Sequence, residues 1–549
     1  MKRTENEVML PLASDSGNTT RLLRALTAAI GIACFVIGTR VLALAGVQYI
    51  WDDAYMFIRY ADNVLRFGRV AWNPGAAPAY GLTSPLYLSV VVPLHALIAN
   101  PAVAIQWASI ICGTLFLVLL ALLIARNLPC GPLLKAVAIL IVFLSIARMG
   151  TDGVHHFASG MDTMFALSFL TAYFLAARAQ ERAGSERGAL LLGLLGGLAY
   201  AIRPDLMLYT TLVPAGAWLF AADRPARRRA TLTLLATAGL LALQLLLFRW
   251  YFGSALPLPF YAKGTKLYGG TIYAQYSFLS LNQLYLYVTS HWTLFLLIGA
   301  SLAADWRGRL RALTPVDRGM AVATVLFIGY YLFFVLQIMP YDQRFYYPTF
   351  PAIAFLAAQS LGFLLQRVPA DLRQGLRQTA EGLSRPLAFL LVAALLPLAA
   401  SAFYNAALAT PQRYWSVRQG YLTRFSQNWY RLDAFSDLPD DLVIATTEVG
   451  NPGIMNLHKT VLDLAGLNET EIAHNGFQAA AFFARYKPDL IYMPHPHYAE
   501  MIREIEANPV FRAEYDYYTA DQLGASMGVA IWHGSRHYAE LKQIMAPGG

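Results

Sequence analysis

Charge is scarce in this chain of 549 residues: Asp, Glu, Lys and Arg make up 14% of it, against 57% hydrophobic residues. Soluble globular domains carry about a quarter charged residues, so a single water-facing body is excluded and a polytopic membrane protein is indicated. Cysteine is scarcer still. The three cysteines, Cys34, Cys112 and Cys130, fall in the apolar part, which excludes a disulfide framework and a cysteine-based zinc site. No GxxxxGK[ST] run and no plausible GxSxG elbow occur, which disfavours ATP-driven transport and serine hydrolysis. The net charge of +9 reads as basic cytoplasmic loops rather than as a nucleic-acid footprint.

Long apolar stretches recur from Leu22 to about Tyr404, whereas the rest regains an ordinary mixture of residues. The chain thus divides into a polar cytoplasmic tail (1–21), a membrane body (22–407) that opens on an uncleaved helix, and an α/β body (408–549). Basic clusters at 126–135, 178–187, 223–229, 305–318 and 366–378 are expected on the cytoplasmic side. The loops between them then face outward, and about eleven helices cross the membrane, which places the C-terminal body outside as well. The segment 84–98 is too short for a full span and reads as a helix dipping into the membrane. The overall expectation is a polytopic α-helical protein of the bacterial inner membrane with a periplasmic C-terminal α/β domain.

The first outer loop (51–83) opens with Asp52 and Asp53. Behind them Ala54, Phe57, Ile58, Ala61 and Leu65 recur at helical spacing, while Asp52, Tyr55, Arg59, Asp62 and Arg66 share the other face. The pattern predicts an amphipathic helix lying on the outer membrane surface. A single Asp would serve as its cap; two in sequence, where ionised groups are expensive, point to function.

Several cations also stand at the outer boundary: Arg40, Arg148, Arg203, Arg249, Lys263, Lys266 and Arg344. Such a cluster suits an anionic ligand at headgroup depth, and Arg matches phosphate oxygens in a fork. Interfacial snorkelling is the favoured account of Arg249 and Lys266 taken singly, and an Arg203 and Asp205 pair accounts equally well for Arg203. Asp152, His155, His156 and Asp162 could hold a cation, but at no recognised metal spacing. "GLLGGLAY" (193–200) reads as close helix packing. In the tail, "DLVIATTEV", "TVLDLAG", "DLIYMP" and "MGVAIWH" read as strands, and "EIAHNGFQAAAFFARY" and "YAEMIREIEAN" as helices.

In "DDAYMFIRYADNVLRFGRVAWNPG", "YGLTSPLY", "SGMDTMFALSF", "AIRPDLMLY", "YFGSALPLPFYAK", "RFYYPTFP", "VLDLAGLNETEIA" and "KPDLIY" the chain resembles the GT-C superfamily of membrane glycosyltransferases. Within it, the likeness is greatest to bacterial arabinofuranosyltransferases of the mycobacterial terminal β type. It departs from that pattern at "SGMDT", where Glu is common, and at "LPLPFYAK", which lacks the usual Asn. The resemblance implies a polyprenyl-phosphate sugar donor, foremost arabinofuranose, and an acceptor hydroxyl on a cell-envelope glycan or surface protein. It implies Asp52 or Asp53 as catalytic base, and Arg203, Lys263 and Arg344, with Arg59, Tyr55, Arg148, His156 and Asp162, around the donor phosphate and sugar. Some relatives also use a divalent cation; the sequence does not decide this, nor inversion against retention. The rival classes are a lipid-linked sugar transporter, against which no inverted repeat is visible, and a non-catalytic polyprenyl-lipid-binding subunit.

Overall fold

A computed structural model describes residues 16–46, 50–148, 151–264, 277–335, 343–367 and 429–546. Up to Arg367 the described chain is helical: α1 (Ser16–Gly46), α2 (Asp52–Phe67), α3 (Leu88–Leu97), α4 (Pro101–Asn127), α5 (Pro132–Arg148), α6 (Thr151–Ala158), α7 (Thr163–Ala183), α8 (Glu186–Gly197), α9 (Ala199–Ile202), α10 (Met207–Leu219), α11 (Arg224–Phe252), α12 (Leu258–Gly264), α13 (Ser277–Ser290), α14 (Trp292–Ala312), α15 (Pro315–Phe333) and α16 (Phe350–Arg367). Local chemistry sets several starts. Asn100 accepts from the amides of Ala102 and Val103 with Pro101 in the first turn, Asp223 caps α11, and Thr314 and Asp317 form a capping box on α15.

Among the described residues five helices are long and apolar enough to cross a bilayer, and six if α13 and α14, bent by 85°, count as one. The remaining legs of the bundle are short, such as α5, α8 and α10, or end in charged turns, as α7 does. The stretch after residue 367 that would hold the last expected crossing lies outside the described residues. Described residues of the five basic clusters meet at one end of the bundle. Arg182 donates to the carbonyl of Arg126 at 3.0 Å, Arg178 lies 3.5 Å from Asp317, Arg228 pairs with Glu186 at 3.2 Å, and Arg367 pairs with Asp305. From its start at Thr163, α7 reaches that end 21 residues later, about 30 Å along a helix. The segment 84–98 is a 3-10 turn and the ten-residue α3, about 15 Å long and unable to span.

Packing within the bundle relies on small residues, as it must where lipid tails compete for apolar surface. A Cβ on Gly193 of α8 would lie 2.4 Å from the carbonyl oxygen of Thr233 on α11, and one on Gly216 of α10 would lie 2.4 Å from the Cα of Gly319 on α15. The α8–α11 seam is tied further by Thr237 donating to the Gly193 carbonyl at 3.1 Å and Gln244 to that of Gly197 at 2.8 Å. "GLLGGLAY" is therefore a packing element.

The C-terminal body is a mixed five-stranded sheet of order β2-β1-β3-β5-β4, built from β1 (Val443–Thr446), β2 (Thr460–Asp463), β3 (Leu490–Tyr492), β4 (Tyr515–Tyr518) and β5 (Val529–Trp532). β1 runs parallel to β2 and β3, and β5 antiparallel to β3 and β4. Four strands match the sequence expectation. β4, "YDYY", was not expected, because it follows a helical pattern without a turn signal. "EIAHNGFQAAAFFARY" is broken into Thr470–Asn475 and Ala479–Arg485 at Gly476, whose φ is 75°. The expected boundary at 407/408 lies outside the described residues.

The expected surface-lying helix α2 is instead enclosed. Its apolar face packs on α3 and α4, and its polar face is covered by the helix Gly450–Met455 of the C-terminal domain. The polar stripe that suggested solvent is an interface between the two bodies.

Candidate functional site

The two aspartates at the start of α2 have separate surroundings. The carboxylate of Asp52 accepts from the backbone amides of Gly450 (3.0 Å) and Asn451 (2.7 Å) and from the Asn451 side chain. Both of its oxygens are thus used to cap Gly450–Met455 and hold the C-terminal domain. The fit is close, since a Cβ on Gly450 would lie 2.0 Å from the Asp52 carbonyl oxygen. Burial and the neighbouring Asp53 raise the Asp52 carboxyl to about 6 against the pull of those amides.

Asp53 keeps 38% of its side-chain surface open, and among the described residues it pairs loosely with Arg344 at 3.4 Å. Arg344 follows Gln343, a non-glycine residue held at φ 55°, and its guanidinium lies over the rings of Trp51 (5.4 Å) and Phe345 (5.1 Å). His156, fully buried on α6, packs edge-on against Trp51 at 5.5 Å and against Tyr347 at 4.4 Å. His156 therefore supports the platform on which Arg344 rests.

Lys263 on α12 is reachable by water yet ringed by protein atoms. That crowding, with Arg344 close by, outweighs the attraction of Asp53 and lowers its ammonium to about 8. Arg203 makes a two-pronged pair with Asp205, at 3.2 and 2.6 Å, and Tyr331 donates to the same carboxylate at 2.6 Å. Asp162 is buried at the start of α7, where desolvation raises its carboxyl against the charges of Arg203 and Arg344. Arg203, Lys263, Arg344, Asp53 and Asp162 therefore share one electrostatic neighbourhood. Tyr55 is half-buried on α2. Arg148 ends α5, and its side chain lies outside the described residues, as does Lys266.

Arg59 corrects the sequence expectation. It is fully buried, and all five of its N–H groups donate to protein oxygens: the carbonyls of Trp72 (2.8 Å), Gly453 (2.9 Å), Asn456 (2.7 Å) and Lys459 (2.7 Å), and Asn73 Oδ1 (2.9 Å). No donor remains for a phosphate. Arg59 is a clasp between the segment 51–83 and the C-terminal domain, reinforced where Trp72 and Asn73 bond the backbone of Val461 at 2.8 Å each. Arg249 likewise turns back to the carbonyl of Gly253 at its own helix end.

Sequence reasoning missed Glu448. It follows β1, two residues before the amide that Asp52 caps, and is half-buried facing Asp52, Asp53 and Asp463. Desolvation first, then those acids, raise its carboxyl to about 8. Its signal lay in "ATTEVGNPG", a carboxylate at the C-terminal end of a parallel strand, where open α/β sheets place functional groups. Among the described residues no group of three or more His, Cys, Asp or Glu side chains is placed to hold a metal ion.

Fold and site together define a polytopic helical membrane protein in which the segment 51–83 carries an acidic pair beneath a docked C-terminal α/β domain. The crystal structure of ArnT from Cupriavidus metallidurans in the apo state is similar to this chain with a TM-score of 0.51 and 12% identity, over 92% of this chain and 98% of that one. At that identity the likeness establishes the fold. No family model matches the chain, and no curated protein matches it by sequence.

Proposed function

We propose that this protein is a glycosyltransferase that moves a sugar from a polyprenyl-phosphate donor to a hydroxyl of a cell-envelope glycan or surface protein on the outer face of the inner membrane. Arabinofuranose is the sugar favoured by the motif resemblance. The observation that carries the reading is the division of labour in the acidic pair: Asp52 is consumed by the C-terminal domain, whereas Asp53 stays open beside Arg344 and Lys263. The likeness to ArnT supports a membrane transferase.

In this reading Asp53 takes the proton of the acceptor hydroxyl as its oxygen bonds to the anomeric carbon. The bond from that carbon to the phosphate oxygen breaks, and the lipid phosphate leaves with the electron pair. Lys263 and Arg344 stabilise the charge that gathers on it. A phosphate arriving at Arg344 competes for the guanidinium now paired with Asp53, which frees the base as the donor binds. The reading is tested by transfer from synthetic polyprenyl-phosphate sugars to glycoside acceptors by the purified protein, with Asp53→Asn beside the wild type. Turnover by wild type, lost in Asp53→Asn, supports it; wild-type rates in Asp53→Asn refute the base assignment.

A further inference from the structure

We infer that Glu448, carried by the C-terminal domain, is a third carboxyl of the transfer site, present as a neutral acid that donates a hydrogen bond to the acceptor sugar while Asp53 stays ionised as the base. The inference rests on the transferase reading above. Three observations place Glu448. The amide of Gly450, two residues on, is fixed to Asp52 at 3.0 Å, so the segment 448–451 is pinned against the first turn of α2. The Thr446 hydroxyl, which accepts from the Glu448 amide at 3.3 Å, and Thr447, which accepts from the His495 amide at 3.2 Å, hold the backbone on either side. The Glu448 carboxyl itself has no hydrogen-bond partner among the described residues, although it is half-buried.

The charges around it decide its protonation. Asp52 and Asp53 face it from α2 and Asp463 from the end of β2, whereas the cation Arg344 pairs with Asp53. His495, on the β3 side, is held neutral by burial and by His497, with its pKa lowered to about 4. Carboxyls crowded together cannot all ionise, and the proton stays on the one with neither a cation nor amide donors: Asp53 has Arg344, Asp52 the amides of Gly450 and Asn451, and Asp463 those of Ala465 and Asn468. Glu448 is that group. During transfer the acceptor proton passes to Asp53, and Glu448 keeps its own. A neutral carboxylic acid is a donor for a sugar hydroxyl beside the reacting one, which fixes the acceptor's orientation. The C-terminal domain then contributes to acceptor binding.

The test is the pH dependence of transfer by the full-length protein for wild type, Glu448→Gln and Glu448→Ala, with thermal melting as a folding control. Wild-type activity should fall above about pH 8, as Glu448 ionises beside Asp53. Glu448→Gln, an uncharged donor, should stay active near pH 7 and lose that alkaline fall. Glu448→Ala should raise the acceptor KM about tenfold, the worth of one hydrogen bond, with the donor KM unchanged. An inactive Glu448→Gln overturns the inference, and so does an unchanged alkaline fall, which would then belong to Lys263. Failure of the wild type to transfer any lipid-linked sugar would sink the transferase reading instead. Infrared titration still tests Glu448 in that case. A protonated-carboxyl band lost near pH 8, and missing in Glu448→Gln, is required, and its absence overturns the assignment.

Discussion

Replacing Arg59 by Lys separates a structural clasp from a phosphate ligand. The guanidinium makes five hydrogen bonds, four of them to backbone carbonyls, from a fully buried position. An ammonium has three donors, so at least two of those oxygens lose their partner. Each buried polar group left unsatisfied costs about 1–3 kcal/mol, so the change should cost roughly 2–6 kcal/mol, comparable with the whole stability of a small domain. Three of the carbonyls, those of Gly453, Asn456 and Lys459, belong to the C-terminal domain, and Asn73 also accepts from the Val461 amide at 2.8 Å. The loss should therefore appear as undocking. The assay is hydrogen exchange of the purified protein across 450–463 together with thermal melting. Arg59→Lys should melt several degrees lower and exchange faster at the Gly450, Asn451 and Val461 amides, with the helices of the bundle unaffected. Unchanged melting and exchange, accompanied by weaker binding of a polyprenyl phosphate, would refute the clasp and restore Arg59 as a donor ligand.

Asp53→Asn should lower transfer about 10²–10⁴-fold, the usual worth of a general base, with melting unchanged; activity within a few-fold of wild type would contradict the assignment. Asp52→Asn should lose about 1–3 kcal/mol of stability and melt lower, because its amide nitrogen meets either the Gly450 or the Asn451 N–H where an acceptor is needed; an unaltered melt would show that the cap carries no load. Arg344→Ala should weaken polyprenyl-phosphate binding measured directly, and equal affinity would remove Arg344 from the donor site. The Asp52 carboxyl is raised to about 6 and that of Glu448 to about 8, both above their unfolded values, so the docked state binds more protons. Their contribution to stability is therefore greatest at low pH and is lost as pH rises through 6 and then 8. Melting should be higher at pH 5.5 than at pH 8.5, and a flat or rising profile would overturn those shifts.

The membrane body was legible because its signals are local. Apolar length marks the spans, and the basic clusters, far apart in sequence, meet at one end of the bundle through pairs such as Arg182 with the Arg126 carbonyl and Arg367 with Asp305. The candidate site was legible in part. Asp53, Lys263, Arg344, Arg203 and Asp162 do share one neighbourhood, since each is an ion where hydropathy alone would not put one. Arg59 was misread for a physical reason. A polar stripe on a helix looks the same whether it faces water or the backbone of another domain, and the partners of Arg59 lie up to 400 residues away. Glu448 was missed on the same ground: its place after a strand was readable, but nothing in "TTEVG" shows that the segment is pinned to residue 52.

In the proposed transfer, the adjacency of Asp52 and Asp53 lets one acid hold the C-terminal domain while the other serves as base. Successive helical residues point about 100° apart, so a pair at the start of α2 faces two directions at once. Asp52 turns to the C-terminal domain and Asp53 to the cations of the bundle. The domain carrying Glu448 is thereby fastened one residue from the proposed base, and a change that loosens it withdraws Glu448 from Asp53. Docking and chemistry are then coupled through a single turn of helix. Loosening the Asp52 cap should reduce transfer without touching the base, and the loss should be steeper for acceptor binding than for donor binding. Equal losses in both would place the domain outside the acceptor's path.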